Sequence, residues 1–172
     1  AENPDTVAEY AVEAIKGFKE AGIIATGKHF PGRGESAADA HHGLPVIDIS
    51  KEEMYEKHIK PYKKLIEAGI PAVMTAHTAY PALDDSGLPA TLSKKIITGI
   101  LKEELGFKGV VITDALCMGG FAGENALQNT VKSFLAGNDV LLWPTFEYMD
   151  QMERLILSGE VKEEVLDAAV ER

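Results

Sequence analysis

The chain has 172 residues, 45% of them hydrophobic and 26% charged, with a formal net charge of −10 at pH 7, which is the make-up of one soluble globular domain. That acidity argues against a nucleic-acid or anionic-membrane partner, since such surfaces need clustered Lys and Arg, and no apolar run is long enough to span a bilayer. A lone cysteine, Cys117, cannot build an internal disulfide scaffold.

The pattern along the chain is helix then strand, repeated. Residues 5 to 21 are predicted as an amphipathic helix, with Val7, Tyr10, Ala11, Ala14, Ile15 and Phe18 at helical spacing and Gly22 as the stop. The apolar run Ile23 to Gly27 is then expected as a buried strand. Ser50, with Glu53 three residues on, forms a capping box for a helix over 51–68, and Pro61 inside it predicts a kink near His58 and Ile59. His58, with Lys57, Lys60 and Lys63 nearby, is expected on the surface. Residues 72–76 (Ala-Val-Met-Thr-Ala) are the second strand, and Ser93 opens a helix to about Leu105, stopped by Gly106.

Residues 109–113 (Gly-Val-Val-Ile-Thr) are the third strand and the most β-branched segment of the chain. A helix over about 124–136 follows, then a fourth strand over 139–143, a helix over 146–157 and a last one over 161–172. All four strands are short, continuous apolar runs rather than alternating ones, as in a parallel sheet covered on both faces. The expected fold class is therefore α/β, of the TIM (β/α)₈ barrel type, with only about four βα units in this chain.

Titratable groups recur at the C-terminal tips of these strands. The first ends at Lys28 and His29, the second at His77 and the third at Asp114, while the fourth passes through Trp143 and Pro144. In a β/α barrel those tips form one rim and converge on a single mouth. Open doubly wound sheets obey a related rule, but the usual glycine signatures for dinucleotides and phosphates are absent from the sequence. The richest stretch is Lys28-His29-Phe30-Pro31-Gly32-Arg33-Gly34-Glu35, followed by Asp39-Ala40-His41-His42. Pro31, Gly32 and Gly34 permit tight backbone there, and the titratable side chains serve no packing need.

These residues resemble a known family. Lys28 to Gly34, then Asp39-Ala40-His41 and Gly43-Leu44-Pro45, are similar to the catalytic loop of family-3 glycoside hydrolases of the β-N-acetylglucosaminidase type. Residues 73–77, 88–93 and 106–116 extend the match in order over nearly the whole chain. The resemblance implies a (β/α)₈ catalytic barrel, with this chain, residues 1–172, as its C-terminal half, and removal of terminal β-linked N-acetylglucosamine with retention of configuration. Carried over by motif position, Asp114 would be the nucleophile, His41 the general acid/base and Asp39 its orienting partner. Lys28 and His29 would hydrogen-bond the sugar hydroxyls, and His77 would line the same pocket. Where such enzymes commonly read Asp-Ser-His, this chain reads Asp-Ala-His, which leaves the dyad intact. No cofactor and no metal are implied.

The chemistry is consistent with the residue types. Cleavage through a covalent intermediate needs an anionic nucleophile and a group that donates a proton to the leaving oxygen and then takes one from water. A carboxylate near Lys28 suits the first role and an imidazole, with a reference pKa of about 6.5, suits the second. Of the tandem His41 and His42, spacing from Asp39 favours His41. An imidazole in place of a second carboxylate also repels an anionic acceptor less, which leaves phosphate open beside water. Each site residue also has a bland reading: Asp114 as a turn residue, His29 as a satisfied core histidine, His41 and His42 as solvated loop residues, Glu35 as a surface charge, Cys117 and Met118 as packing. Trp143 is either a sugar-stacking platform or a barrel plug.

The expected partners are a glycoside or muropeptide containing N-acetylglucosamine and either the missing N-terminal half of the barrel or a second copy of this chain. A full barrel takes about 250 residues and eight strands, and four strands alone leave two exposed edges. The expected location is cytoplasmic, or secreted if a signal peptide precedes the chain. Two other readings remain: a metal-dependent barrel hydrolase using His29, His41, His77 and Asp114, and a non-catalytic half-barrel module.

Overall fold

The computed structural model describes residues 3–34, 43–118, 121 and 125–172. Asp39 and His41, the expected acid/base pair, lie outside the described residues, as do Glu35 and His42.

Helix α1 (Pro4–Glu20) starts where Asn3 accepts the Asp5 N–H at 2.8 Å and the Thr6 N–H at 3.3 Å, two of the donors that every helix leaves open at its start. Strand β1 spans Thr26–Phe30. The Ser50 capping box forms as expected, with the Glu53 N–H donating to Ser50 Oγ at 3.1 Å. From it run α2 (Lys51–Glu53), a π-helical stretch (Met54–Ile59) and α3 (Lys60–Glu67). The widened turn occupies the place of the predicted kink, because an α-helical ladder would drive the Pro61 ring into the carbonyl four residues back.

Strand β2 (Ala72–Thr75) is followed by a 3₁₀ turn (Ala90–Leu92), a π-helix (Lys95–Glu104) and β3 (Val110–Thr113). Helices α4 (Ala126–Ala136), α5 (Tyr148–Leu157) and α6 (Glu163–Val170) complete the chain. The sheet is parallel in the order β1-β2-β3, with Thr26 opposite Ala72 and Ala72 opposite Val110. The main core lies between this sheet and its helices, where Phe30, Tyr62, Leu65, Val73, Ile96, Ile97, Leu101 and Val111 are buried. No helix among the described residues is long and apolar enough to cross a membrane.

Three expectations are corrected. The first strand lies three residues later than its apolar run suggested: Ile23 and Ile24 are 55% and 76% exposed. Pairing with β2 sets the register instead, and Phe30 anchors it, fully buried with its ring 5.0 Å from that of Tyr62 at an edge-on angle of 85°. Lys28 and His29 are thus strand residues, not loop residues. The fourth run, 139–143, makes a single parallel bridge, Val140 to Ile112, and no strand. Side chains take two of its ladder positions: Asp139 Oδ2 accepts the Val111 N–H at 2.8 Å, and Thr113 Oγ1 accepts the Leu142 N–H at 2.9 Å.

His58 is the third correction, since it is buried rather than on the surface. The π-helical stretch turns it inward beneath the Gly32 turn, where a β-carbon on Gly32 (φ 137°) would sit 2.7 Å from His58 Nδ1. Gly32 is therefore required both by its backbone angle and by the imidazole under it.

Candidate active site

The C-terminal ends of β1 and β3 build the site. Asp114, one residue past β3, is half-buried, and its Oδ2 lies 3.3 Å from Nε2 of His29 on β1. Its Oδ1 accepts the Ala115 N–H at 2.8 Å. Contact with the His29 imidazole outweighs partial desolvation and, with the Ala115 N–H, holds the Asp114 carboxyl down at about 2. The group is an anion at neutral pH, yet each oxygen keeps a lone-pair direction for further bonding.

The carboxylate faces a cavity of about 560 Å³, lined by Lys28, His29, Arg33, Asp114, Cys117 and Trp143 among others. The cavity's charged lining is cationic around one acid, which suits a ligand rich in hydroxyls and carbonyl oxygens. Trp143 is 72% exposed on its lip, with φ at 48°, a left-handed angle uncommon for a bulky residue. It plugs nothing among the described residues. Tyr80 secures the loop after β1 by donating its hydroxyl to the Gly32 carbonyl at 2.7 Å.

His77, at the tip of β2, is placed differently from the other three. Its ring is 3% exposed and stacks on Phe121 at 4.6 Å. Nδ1 lies 2.8 Å from Thr91 Oγ1, and Nε2 lies 3.1 Å from the Ala115 carbonyl oxygen. Burial pushes its pKa down, against the opposing pull of the Ala115 carbonyl and the Asp114 charge.

The described residues thus bring Lys28, His29 and Asp114 to one mouth, with His77 directly behind. Among the described residues no group of three or more His, Cys, Asp or Glu side chains is gathered for a metal ion. Residues without an assigned role in the sequence also matter here: Arg33 on the wall, and Thr75, Thr91 and Asn138 behind His77. Asn138 is 1% exposed. Its place in Gly-Asn-Asp between a helix and an apolar run was the one local sign of a buried role.

Comparison with known proteins gives the family and the fold. The model of the glycosyl hydrolase family 3 N-terminal domain matches residues 1–172. Beta-hexosaminidase A of Pseudoalteromonas piscicida is 35% identical over 99% of this chain and 32% of its own length. A glycoside hydrolase family 3 beta-N-acetylglucosaminidase from Paenibacillus sp. str. FPU-7 superposes with a TM-score of 0.90 at 38% identity, over 96% of this chain and 32% of its own. A beta-glucoside phosphorylase also superposes with a TM-score of 0.90, at 28% identity over 98% of this chain and 32% of its own. The chain therefore spans about a third of the length of these relatives, and the fold it shares with them is a TIM-barrel-like α/β fold. On the family match and these likenesses together, the chain belongs to glycosyl hydrolase family 3, in its N-terminal domain.

Proposed function

We propose that this chain carries the nucleophile of a retaining glycosidase that removes terminal β-linked N-acetylglucosamine, and that residues 1–172 form the C-terminal half, about four βα units, of its (β/α)₈ barrel. Asp114 attacks the anomeric carbon. His41, oriented by Asp39, protonates the leaving oxygen and later deprotonates the acceptor. Lys28 and His29 bond the sugar hydroxyls.

One observation carries the reading: an Asp114 carboxylate kept ionised at about 2 by the His29 imidazole and the Ala115 N–H, facing a cavity shared with Lys28. Ionisation supplies the attacking lone pair at neutral pH. A weakly basic carboxylate is also a good leaving group, which helps the second displacement free the enzyme. The hexosaminidase names of the relatives support N-acetylglucosaminides as substrates.

The test is hydrolysis of a chromogenic N-acetylglucosaminide with the rest of the barrel present. Asp114→Ala and His41→Ala are each expected to lower turnover by a factor on the order of 10³ or more with the fold intact; near-normal rates in either variant overturn the assigned roles. The likeness to a beta-glucoside phosphorylase favours a second acceptor. Running the reaction in phosphate and looking for the sugar 1-phosphate separates phosphorolysis from hydrolysis.

A further inference from the structure

We propose that His77 is a positioning residue: a neutral imidazole whose Nε2–H clamps the Ala115 carbonyl and so fixes the backbone that aims the Asp114 carboxylate. The catalytic consequence rests on the reading of Asp114 as nucleophile given above; the clamp itself does not.

Proton counting assigns the tautomer. A carbonyl oxygen only accepts, so the 3.1 Å contact between His77 Nε2 and Ala115 O places a proton on Nε2. With the ring buried and neutral, Nδ1 carries none and takes the Thr91 hydroxyl proton across 2.8 Å. The Ala76 carbonyl lies 3.0 Å from the same hydroxyl but has the Thr91 N–H at 3.2 Å, whereas an unprotonated Nδ1 has no other donor, so the hydroxyl proton is needed at His77.

Thr91 is itself held. Asn138 Nδ2 donates to the Thr91 carbonyl at 3.0 Å and to the Ser133 carbonyl at 2.6 Å, and Asn138 Oδ1 accepts the Thr75 hydroxyl at 3.0 Å. Thr75 and Thr91 are fully buried, Asn138 is 1% exposed and His77 3%. Four buried polar side chains that satisfy one another are a rigid unit, because each alone would be left short of a partner.

The unit reaches the carboxylate through the two peptides that meet at Ala115. The Ala115 carbonyl is pinned by His77, and the Leu116 N–H on the same peptide donates to the Leu142 carbonyl at 2.9 Å. With that plane locked at both ends, Ala115 Cα is held and rotation about it is restrained, so the preceding peptide, whose Ala115 N–H donates to Asp114 Oδ1 at 2.8 Å, has little freedom to turn. The other face of the carboxylate meets His29, with Lys28 and Arg33 on the same cavity wall. His77 stands behind the reacting group and His29 beside it.

Two measurements decide the matter. In the 172-residue chain, nitrogen-15 NMR of labelled histidine is expected to show His77 neutral with its proton on Nε2 at neutral pH. An imidazolium at neutral pH, or a proton on Nδ1, overturns the clamp. Kinetics then use this chain with the rest of the barrel present, as in the hydrolysis test above. His77→Gln keeps a donor near the Nε2 position, whereas His77→Asn does not reach it. His77→Asn is expected to lower kcat on the order of 10–100-fold, the scale set by a misaimed reacting group, with KM changed by less than about twofold, and His77→Gln to recover most of the loss. Should His77→Asn fail to fold, the near-isosteric Thr91→Val, which removes the Nδ1 partner, is expected to lower kcat with KM again unchanged. A raised KM at unchanged kcat makes His77 a sugar ligand, and equal losses in the Asn and Gln variants make it structural; both overturn the proposal. A wild-type protein without glycosidase activity defeats the functional reading instead, and the tautomer measurement still judges the clamp.

Discussion

Asp114 shows how its immediate neighbours, His29 first among them, set the acidity on which the proposed reaction depends. Its folded pKa of about 2 lies below the value of about 3.9 for an unfolded aspartate. As pH falls, the unfolded chain takes up the proton first. The stabilisation is thus complete above about pH 4 and is lost as pH falls toward 2. Urea midpoints between pH 4 and 2 are expected to fall more steeply in the wild type than in Asp114→Asn. His29→Ala removes the largest cause of the depression, so the acid limb of the kcat/KM profile is expected to move to higher pH. An unmoved limb would show that the imidazole at 3.3 Å does not hold the charge. Asp114 was legible in the sequence because it ends the most β-branched run of the chain. The His77 network was not, since His77, Thr91 and Asn138 lie far apart in sequence and no local period connects them. Asn138→Ala removes the Nδ2 donor to the Thr91 carbonyl and the Oδ1 acceptor of the Thr75 hydroxyl, so its expected cost is about 1–3 kcal/mol by chemical denaturation.

At the scale of elements, the apolar runs located every helix and three strands, while pairing decided the rest. β1 slid along its run because Phe30 found the Tyr62 ring and Ile23 and Ile24 found nothing. The fourth run kept its place beside β3, with Val140 bonded through its backbone to Val111 and Thr113, but the ladder goes no further, and the Asp139 and Thr113 side chains take the neighbouring positions. Asp139 is the most connected of these. It is 3% exposed at the side chain, accepts the Val111 N–H, and meets Lys102 at 2.9 Å and Arg172 at 3.0 Å. One carboxylate therefore ties the end of the chain and the π-helix Lys95–Glu104 to the edge of the sheet. Burial pushes the Lys102 amine below its ordinary pKa against the pull of Asp139, so this cation relies on its acid. Asp139→Ala leaves it buried and unpaired and is expected to cost about 3–5 kcal/mol. The removal of the pair together with a Lys102→Met substitution is expected to recover part of that loss, measured as a double-mutant cycle.

At the scale of the molecule, the two flanks of the sheet carry the argument for a larger barrel. Among the described residues β1 pairs on one side only, and β3 is followed outward by a segment with one bridge. Both flanks are apolar. Ile23 and Ile24 lead into β1, and Val140 and Trp143 lie along the segment beside β3, between 41% and 76% exposed. An isolated sheet with greasy flanks and unpaired backbone groups is a template for association. On the half-barrel reading these flanks are where the remaining strands dock, and the cavity at Asp114 acquires its other wall from the same contact. The 172-residue chain alone is expected to show a molar mass that rises with concentration in light scattering. Adding the N-terminal barrel half of a family member is expected to replace that series by a one-to-one complex and to slow amide exchange along Thr26–Phe30. A monodisperse monomer with fast exchange at β1 in both conditions would mean that the flanks are finished surfaces and that four βα units are the whole of this fold.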